Sequence, residues 1–244
     1  MMKPSMTAAM VLAGCIAAAL AAEPAARITR IDGVASLMRK DGDKWRQAKP
    51  NTPLSVGDQL YTESESFIEI RYHTGAILRM DEKTKIILES SSEKSLATKS
   101  PLGKIWVNMK KLTTQGTEFQ VSTPTATAAI RGTIYKLTTD QDSSSTVDVY
   151  DGKVAVGPSD RLKQEQKKEE AQQPGSEGVG EVPGPEEIPG PYEVSLETWL
   201  TIVAGQRIAI RNDGKFAQGD FDPDATEEAF VKKNKELDTE MMKK

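Results

Sequence analysis

Apolar and polar residues alternate in short runs through the central part of the chain. In residues 67–72, Ile68, Ile70 and Tyr72 fall on one face, and charged side chains fall on the other. Alternation with a period of two is typical of a strand with one buried side. Similar runs, separated by turns that contain glycine, recur from Ala26 to Val156. The pattern predicts a mainly β domain of stacked short antiparallel strands in two packed sheets, sandwich-like or solenoid-like.

The same pattern makes three local predictions. Asp32-Gly33 lies between two β-prone runs and predicts a tight hairpin. Arg79 is expected to point outward from a strand whose other face is buried. The serine-rich stretch from Glu89 to Ser100 is expected to be a long exposed loop.

The composition of the chain changes after residue 157. We therefore expect the first part of the β domain to span residues 26–157. Residues 158–191 are rich in charge, proline, glycine and glutamate, which predicts a disordered insertion. Residues 192–214 read as a returning β-hairpin of the same domain, because Trp199 and its apolar neighbours would otherwise be exposed. Residues 224–243 predict a C-terminal helix.

The N-terminus has the zones of a secretory signal peptide over residues 1–22, so we expect a periplasmic or secreted protein. Leu12 to Cys15 offers a competing interpretation, in which Cys15 is lipidated and anchors the protein. A retained apolar segment is the third alternative. Membrane contact is expected only in these last two cases. Cys15 is the sole cysteine, so no disulfide is expected.

Composition excludes several classes of function. The net charge of −4 gives no basic face for nucleic acid, and 28% charged residues are too many for a polytopic membrane protein. Aromatic residues make up only 5% of the chain.

Residues capable of catalysis or metal binding are sparse. His73 is the only histidine and lies in a turn. The carboxylates that could hold a metal are Asp81-Glu82, Asp140 with Asp142, and the alternate acidic residues of 220–224. The last set is similar to a calcium loop but lacks its glycine and distal glutamate. A hydrolase would need two carboxylates facing each other across a cleft. We therefore expect no enzyme activity, no metal and no cofactor.

The stretch from Phe119 to Tyr135 is the centre of the predicted domain. It contains two β-prone runs that meet at Pro124, the second rich in alanine, followed by Arg131-Gly132-Thr133. Small side chains allow neighbouring layers to approach closely. Arg131 is expected to bind backbone carbonyls or a carboxylate such as Asp148. In the alternative, Arg131 is presented to a carboxylate of a partner.

These motifs resemble the signature of the FecR domain, the periplasmic domain named after the ferric citrate regulator. The resemblance covers roughly residues 28–156 and includes a Leu-x-x-Gly-Asp element and a later glycine turn. The motif residues, expected to be architectural, are Thr123, Pro124, Arg131, Gly132, Thr133, Gly57, Asp58, Gly75 and Gly152.

The resemblance implies an envelope domain that senses or relays signals by protein contact. We expect an exported, non-enzymatic module that binds an envelope protein, with a partner strand added to an exposed sheet edge. No cytoplasmic region is expected before the apolar segment, which argues against direct binding of a sigma factor. The alternative is a structural protein associated with the cell wall or a polysaccharide, which exposure of Trp45 or Trp106 would favour.

Overall fold

The structure is a computed structural model and describes residues 24–92, 94–110, 116–172, 194–195, 198–225 and 228–243. The protein is mainly β, as the sequence predicts. The strands are β1 (Ala26–Asp32), β2 (Ala35–Met38), β3 (Arg46–Gln47), β4 (Pro53–Leu54), β5 (Gln59–Thr62), β6 (Phe67–Tyr72), β7 (Ile77–Met80), β8 (Lys85–Ser91), β9 (Ser95–Asn108), β10 (Glu118–Ser122), β11 (Ala126–Ile130), β12 (Ile134–Thr139), β13 (Ser145–Asp151), β14 (Lys153–Pro158), β15 (Val194–Ser195), β16 (Leu200–Val203), β17 (Gln206–Ile210) and β18 (Lys215–Asp220). The helices are α1 (Asp160–Gln172) and α2 (Ala229–Met242).

Backbone pairing arranges these strands in two sheets. The covered sheet, named for the helix on its outer face, has the order β4-β1-β6-β7-β9-β12-β13-β17-β18-β15. The exposed sheet has the order β3-β2-β5-β8-β9-β10-β11-β14-β16. Neighbours run antiparallel except for the parallel pair of β9 and β10. The inner faces of the sheets pack together and bury the main core, which includes Ile28, Leu60, Ile70, Val107, Phe119 and Val149.

Strand β9 belongs to both sheets. Its first half pairs with β8 and β10, and residues 103–108 pair with β12 in the covered sheet. The change of sheet occurs at Gly103, whose φ of 94° favours glycine. A side chain at Gly103 would also collide with Thr84. A single bent strand therefore ties the two sheets together.

The predicted loop from Glu89 to Ser100 is wrong, because these residues lie mainly in β8 and β9. Thr98 and Ser100 point into the core, and the Thr98 hydroxyl lies 2.6 Å from the Tyr72 hydroxyl. Small hydroxyl side chains can be buried in a strand when they find such partners. Of the serines in this stretch only Ser100 is buried, and Ser90, Ser91, Ser92 and Ser95 are exposed or half-buried. Serine content alone therefore did not distinguish a loop from these strands.

Two predicted hairpins are corners between the sheets. The Asp32-Gly33 turn joins β1 in the covered sheet to β2 in the exposed sheet, and these strands pair with other neighbours. The turn at Gly205 likewise joins β16 to β17, which lie in different sheets. A turn dipeptide predicts a reversal of the chain, but the sheet that receives the next strand depends on the core between the two layers.

Helix α1 occupies part of the segment predicted to be disordered. The Ser159 side chain accepts from the backbone amide of Leu162 (3.3 Å) in the first turn, and Leu162 is buried close to Gly214. Arg161 binds the carbonyl oxygens of Pro124 (2.9 Å) and Asn212 (2.8 Å). These contacts attach a charged helix to the β domain. Residues 173–191 of the predicted insertion lie outside the described residues.

The predicted C-terminal helix is confirmed as α2, which begins at Ala229 and lies on the outer face of the covered sheet. One residue from each of six neighbouring strands forms a transverse row on this face, in the order Glu69, Arg79, Trp106, Lys136, Asp148 and Arg207. Arg79 points outward from the core, as expected, but α2 covers it completely. No helix among the described residues is long and apolar enough to span a bilayer.

Two carboxylates hold α2 to the transverse row. Asp238 accepts hydrogen bonds from Arg79 (2.6 Å) and from the Trp106 indole (2.9 Å). Glu228 accepts from Lys104 (2.7 Å) and Lys136 (2.6 Å). Buried charges are tolerated only when they are paired in this way. Phe230 and Val231 add an apolar contact with Phe67 and Trp106.

The ion pairs move several pKa values. Burial alone would raise the pKa of Glu228, but the hydrogen bonds from Lys104 and Lys136 outweigh it, and the pKa lies below its ordinary value. The pKa of Glu69 is lowered in the same way, against burial, by Arg79 and Thr29. Asp81 differs, because burial is the dominant effect and raises its pKa.

We expect Gly103→Ala to destabilise the protein by about 2–5 kcal/mol, because it combines backbone strain with a collision at Thr84. The measurement is urea unfolding followed by tryptophan fluorescence. Gly219→Ala is the matched control: nothing lies within 4 Å of the added methyl group, and a change of about 0.5 kcal/mol or less is expected. Equal effects of the two substitutions would contradict the role of Gly103.

We also expect stability to fall on acidification from pH 5 to pH 3. Glu69 and Glu228 have folded-state pKa values below the ordinary value of about 4.3, so their stabilisation is present above that pH and is lost as pH falls through the folded values. Asp81, whose pKa is raised, acts in the opposite direction and offsets part of the loss.

Urea unfolding at pH 7, 5 and 3 measures this effect. Glu228→Gln should make the profile less steep, while Glu236→Gln on the exposed face of α2 should leave it unchanged. If the free energy of unfolding of Glu228→Gln falls as steeply with pH as that of the unsubstituted chain, Glu228 is not a source of the pH dependence.

Candidate functional site

The outer face of the exposed sheet carries a shallow groove at its β16 end. We call it the Trp199 groove, and its volume is about 430 Å³. It is lined by Glu118, Gln120, Ala129, Ile130, Arg131, Lys153, Ala155, Trp199 and Thr201. Strands β10, β11, β14 and β16 supply its floor.

Trp199 is the aromatic side of the groove and is 48% exposed. Its indole lies directly over Gly157 of β14, where a Cβ atom would stand 2.6 Å from Cδ2 of the ring. Only glycine leaves room for the ring to lie against the strand. The expectation that the returning strands bury Trp199 is therefore wrong: the ring rests on the outer face of the sheet, away from the core.

Small residues form the floor beside Trp199. Ala129, Ala155 and Thr201 are paired directly across β11, β14 and β16. Because directly paired residues point to the same face of a sheet, their short side chains leave a depression along this row. The alternating small residues of β11 and β14 were a usable sequence signal for this depression, but only once the pairing of the strands was known.

Charged residues stand at the rim of the groove. Arg131 occupies the exposed corner between β11 and β12, where its backbone carbonyl accepts from the Thr133 hydroxyl (3.4 Å). Its guanidinium forms no hydrogen bond or ion pair with another described residue. The predicted partner, Asp148, is bound instead by Lys136 (3.2 Å) and by Arg207 (3.1 Å). Asp148 lies on the covered sheet, so the corner directs Arg131 away from it. Glu118, on the same rim, accepts from Gln120 (2.7 Å).

Strand β16 is an edge of the exposed sheet. It pairs with β14, and no described strand pairs with its other side. The backbone amide of Ala204 donates to Gly152 (3.0 Å), so alternation directs the amide and carbonyl of Thr201 away from β14. Val203 also faces outward, and its amide donates to the side chain of Gln206 (3.2 Å). Thr201 therefore presents backbone hydrogen-bonding groups beside the groove.

The motif residues around Pro124 lie in a tight turn between β10 and β11. Thr123 accepts from the backbone amide of Ala126 (2.9 Å) and from the Ser145 hydroxyl (2.8 Å). The carbonyl of Pro124 accepts from Ser159 (2.7 Å) as well as from helix α1. This turn connects the two sheets and α1.

The remaining motif residues lie at corners. Thr133 donates to the carbonyl of Lys153 (2.7 Å) and so joins the corner at Gly132 to the corner at Gly152. Asp58 is buried and accepts from Arg39 (2.7 Å) and from the amide of Ser55 (2.9 Å). The four motif glycines, Gly57, Gly75, Gly132 and Gly152, all have positive φ. Within the motif, Arg131, Gly132 and Gly152 are exposed, and Arg131 reaches the groove.

The residues considered for catalysis or metal binding remain separate. His73 is exposed and lies 3.2 Å from the carbonyl of Ala25 and from the Ser91 hydroxyl. The described residues contain no group of three or more His, Cys, Asp or Glu side chains that could hold a metal ion. Cys15 lies outside the described residues.

The other two tryptophans differ in their exposure. Trp106 is buried beneath α2, whereas Trp45 is 42% exposed. The Trp45 ring lies 6.5 Å from the Tyr61 ring, edge to face, and the Lys85 ammonium lies 5.6 Å from its centre. This small aromatic cluster lies on β5 and β8, at the end of the exposed sheet opposite to Trp199.

Comparison with known proteins adds one family match. No curated protein sequence matches the chain. Two crystal structures of a candidate anti-sigma factor from Parabacteroides distasonis are similar, each with 15% sequence identity and a TM-score of 0.45 over 67% of this chain. The matched part is 60% of the length of that protein. Residues 58–155 match the model of the family described as FecR protein. The resemblance carried by the sequence motifs is thus confirmed, and the chain contains a FecR domain matched over residues 58–155.

Proposed function

We propose that the protein is an exported, non-enzymatic FecR-type module of the cell envelope that binds a protein partner and relays a signal through that contact. The FecR match supports the general class, a signalling or regulatory module of the envelope. The signal-peptide pattern of residues 1–22 supports export, although these residues lie outside the described part of the chain.

The edge of β16 is the observation that carries the proposal. A partner strand placed beside β16 would accept from the amide of Thr201 and donate to its carbonyl, extending the exposed sheet by one strand. Gln206 occupies the neighbouring amide of Val203, which limits the free edge to a short segment. A short free edge limits unwanted strand pairing, because long unpaired edge strands promote aggregation.

The Trp199 groove would supply specificity. An exposed tryptophan next to a small-residue floor, with Arg131, Lys153 and Glu118 at the rim, has the arrangement of a protein-binding hot spot. Alternate side chains of an added strand would point into the groove. Arg131 offers a planar pair of donors to a carboxylate on that strand.

We expect Thr201→Pro to reduce partner binding about tenfold, because proline removes the outward amide and leaves a partner carbonyl unpaired. The inward bonds to β14 are kept, so urea unfolding should show an intact fold. The measurement is the yield of photo-crosslinks from a photoreactive amino acid at Val203 in intact cells. Thr201→Val is the matched control, because it keeps the amide. Equal yields from the two variants would exclude strand addition at β16.

We expect Arg131→Ala to change the free energy of unfolding by no more than about 0.5 kcal/mol, because the side chain is an exposed surface residue. The same substitution should lower the crosslink yield from Val203. Lys83→Ala is an exposed lysine control on the opposite end of the exposed sheet. If Arg131→Ala lowers stability but not the crosslink yield, Arg131 has only the architectural role expected for the motif.

A second candidate function is association with a cell-wall polysaccharide. The exposure of Trp45 favours it, and with Trp199 it places two exposed indoles at opposite ends of one sheet. Exposed aromatic rings bind the apolar faces of sugars. Co-sedimentation with purified peptidoglycan tests this second function. Trp45→Ala should lower the fraction of protein that sediments with the polymer. Trp106 is buried and so is not expected to contact the polymer. Absence of co-sedimentation would remove this candidate and leave the protein-binding proposal standing.

A further inference from the structure

Helix α2 contacts the covered sheet through a large share of polar groups. Its buried residues are Phe230, Val231, Asn234 and Asp238, of which two are polar. Arg79 lies 3.3 Å from the Asn234 side chain in addition to its pair with Asp238. Because an unpaired buried charge is costly, Arg79 requires a carboxylate from a helix whenever this face is covered, whichever helix supplies it.

The helix also depends on docking for its own order. It has 14 residues, and Glu228 at its N-cap makes no side-chain capping bond, since its carboxylate binds Lys104 and Lys136. Its C-cap is Lys243 in a right-handed conformation. An isolated helix of this length without caps is marginal in water. When α2 is docked, its contacts with the covered sheet keep it helical.

The last turn of α2 packs only partly against the covered sheet. A cavity of about 270 Å³ separates it from the sheet, between Arg71, Asn108 and Lys110 on one side and Met241 and Met242 on the other. Met242 is 64% exposed. The Met241 sulfur accepts weak hydrogen bonds from Arg71 (3.7 Å) and Arg79 (3.8 Å). These contacts are weaker than ion pairs, so opening of the helix is expected to begin at this end.

The face beneath α2 has a definite chemistry. One end presents Lys104 and Lys136, the other presents Arg79 and the Trp106 indole, and Phe67 adds an apolar surface. The two anchoring carboxylates are ten residues apart, which is about 15 Å along a helix. The face therefore selects an amphipathic helix with two acidic residues at that spacing, one at each end of an apolar pair.

We propose that the outer face of the covered sheet is a helix-docking site, that α2 is its intramolecular occupant, and that an acidic amphipathic helix of a partner protein binds there when α2 is displaced. This site is independent of the β16 edge, because it lies on the other sheet. Charge complementarity defines the partner: carboxylates ten residues apart, meeting Lys104 with Lys136 and Arg79 with Trp106.

A labelled peptide with the sequence of residues 224–243 serves as the probe for the partner helix. It is titrated by fluorescence anisotropy against the full chain and against the full chain carrying Glu228→Gln and Asp238→Asn, which weaken the internal helix. Affinity for the double variant should be about tenfold higher, because a larger fraction of the face is open. The same two substitutions in the peptide should abolish its binding.

Two controls separate the outcomes. A full chain with Glu236→Gln and Glu240→Gln, which carries the same charge change on the exposed face of α2, should bind the peptide no better than the unsubstituted chain. Hydrogen exchange should show faster exchange in α2 of the first double variant and unchanged exchange in β12. If α2 exchanges only together with β12, it is a permanent layer and the proposal fails. If α2 opens alone and the peptide still does not bind, the proposal fails as well.

Discussion

The buried guanidinium of Arg79 is the constraint on which the outer layer of the structure depends. It is fully covered and therefore requires carboxylates on both sides, Glu69 within the sheet and Asp238 on α2. The transverse row extends this requirement across six strands, because Lys136 needs Asp148 and Glu228 in the same way. The position of the C-terminal helix is thus set by charge as much as by Phe230 and Val231. A helix placed by apolar contacts alone could slide along the sheet, whereas paired charges fix one register.

The two outer faces of the protein have opposite characters. The covered sheet carries a row of charged residues that are buried apart from Arg207, while the exposed sheet presents small and polar residues together with Trp45 and Trp199. The FecR match spans strands from both sheets, so both faces belong to the same domain. The groove and the edge strand lie where β14 and β16 pair, and β16 falls outside residues 58–155. The proposed binding surface therefore combines strands inside the matched residues with a strand outside them.

Local pattern was sufficient for much of the fold and insufficient for the candidate site. Alternation in 67–72 correctly predicts that Ile68, Ile70 and Tyr72 share a buried face, but not that Glu69 on the other face is also buried. The helical pattern near the C-terminus predicts α2 within a few residues. The sequence did not show that α2 would cover Arg79, because that depends on a contact between residues 159 positions apart. The hairpins at Asp32-Gly33 and Gly205 were wrong for a related reason, since a turn signal does not state which sheet receives the next strand. Arg131 was correctly singled out as a residue of interest, but its expected partner Asp148 lies on the other sheet. The apolar neighbours of Trp199 favour burial, and its contact with Gly157 could not be predicted because Gly157 is distant in sequence.

The bend of β9 at Gly103 has a mechanical meaning. In most two-layer β proteins the layers communicate through side-chain packing, which can yield by small sliding movements. Here one uninterrupted backbone runs from the centre of one layer into the centre of the other, with hydrogen bonds to neighbours along both halves. A pull applied to the β10 side of the molecule would therefore reach Trp106 through covalent bonds, three residues beyond the bend. The two sheets are therefore joined by a continuous strand, and a force on one sheet is transmitted to the other along the backbone of β9.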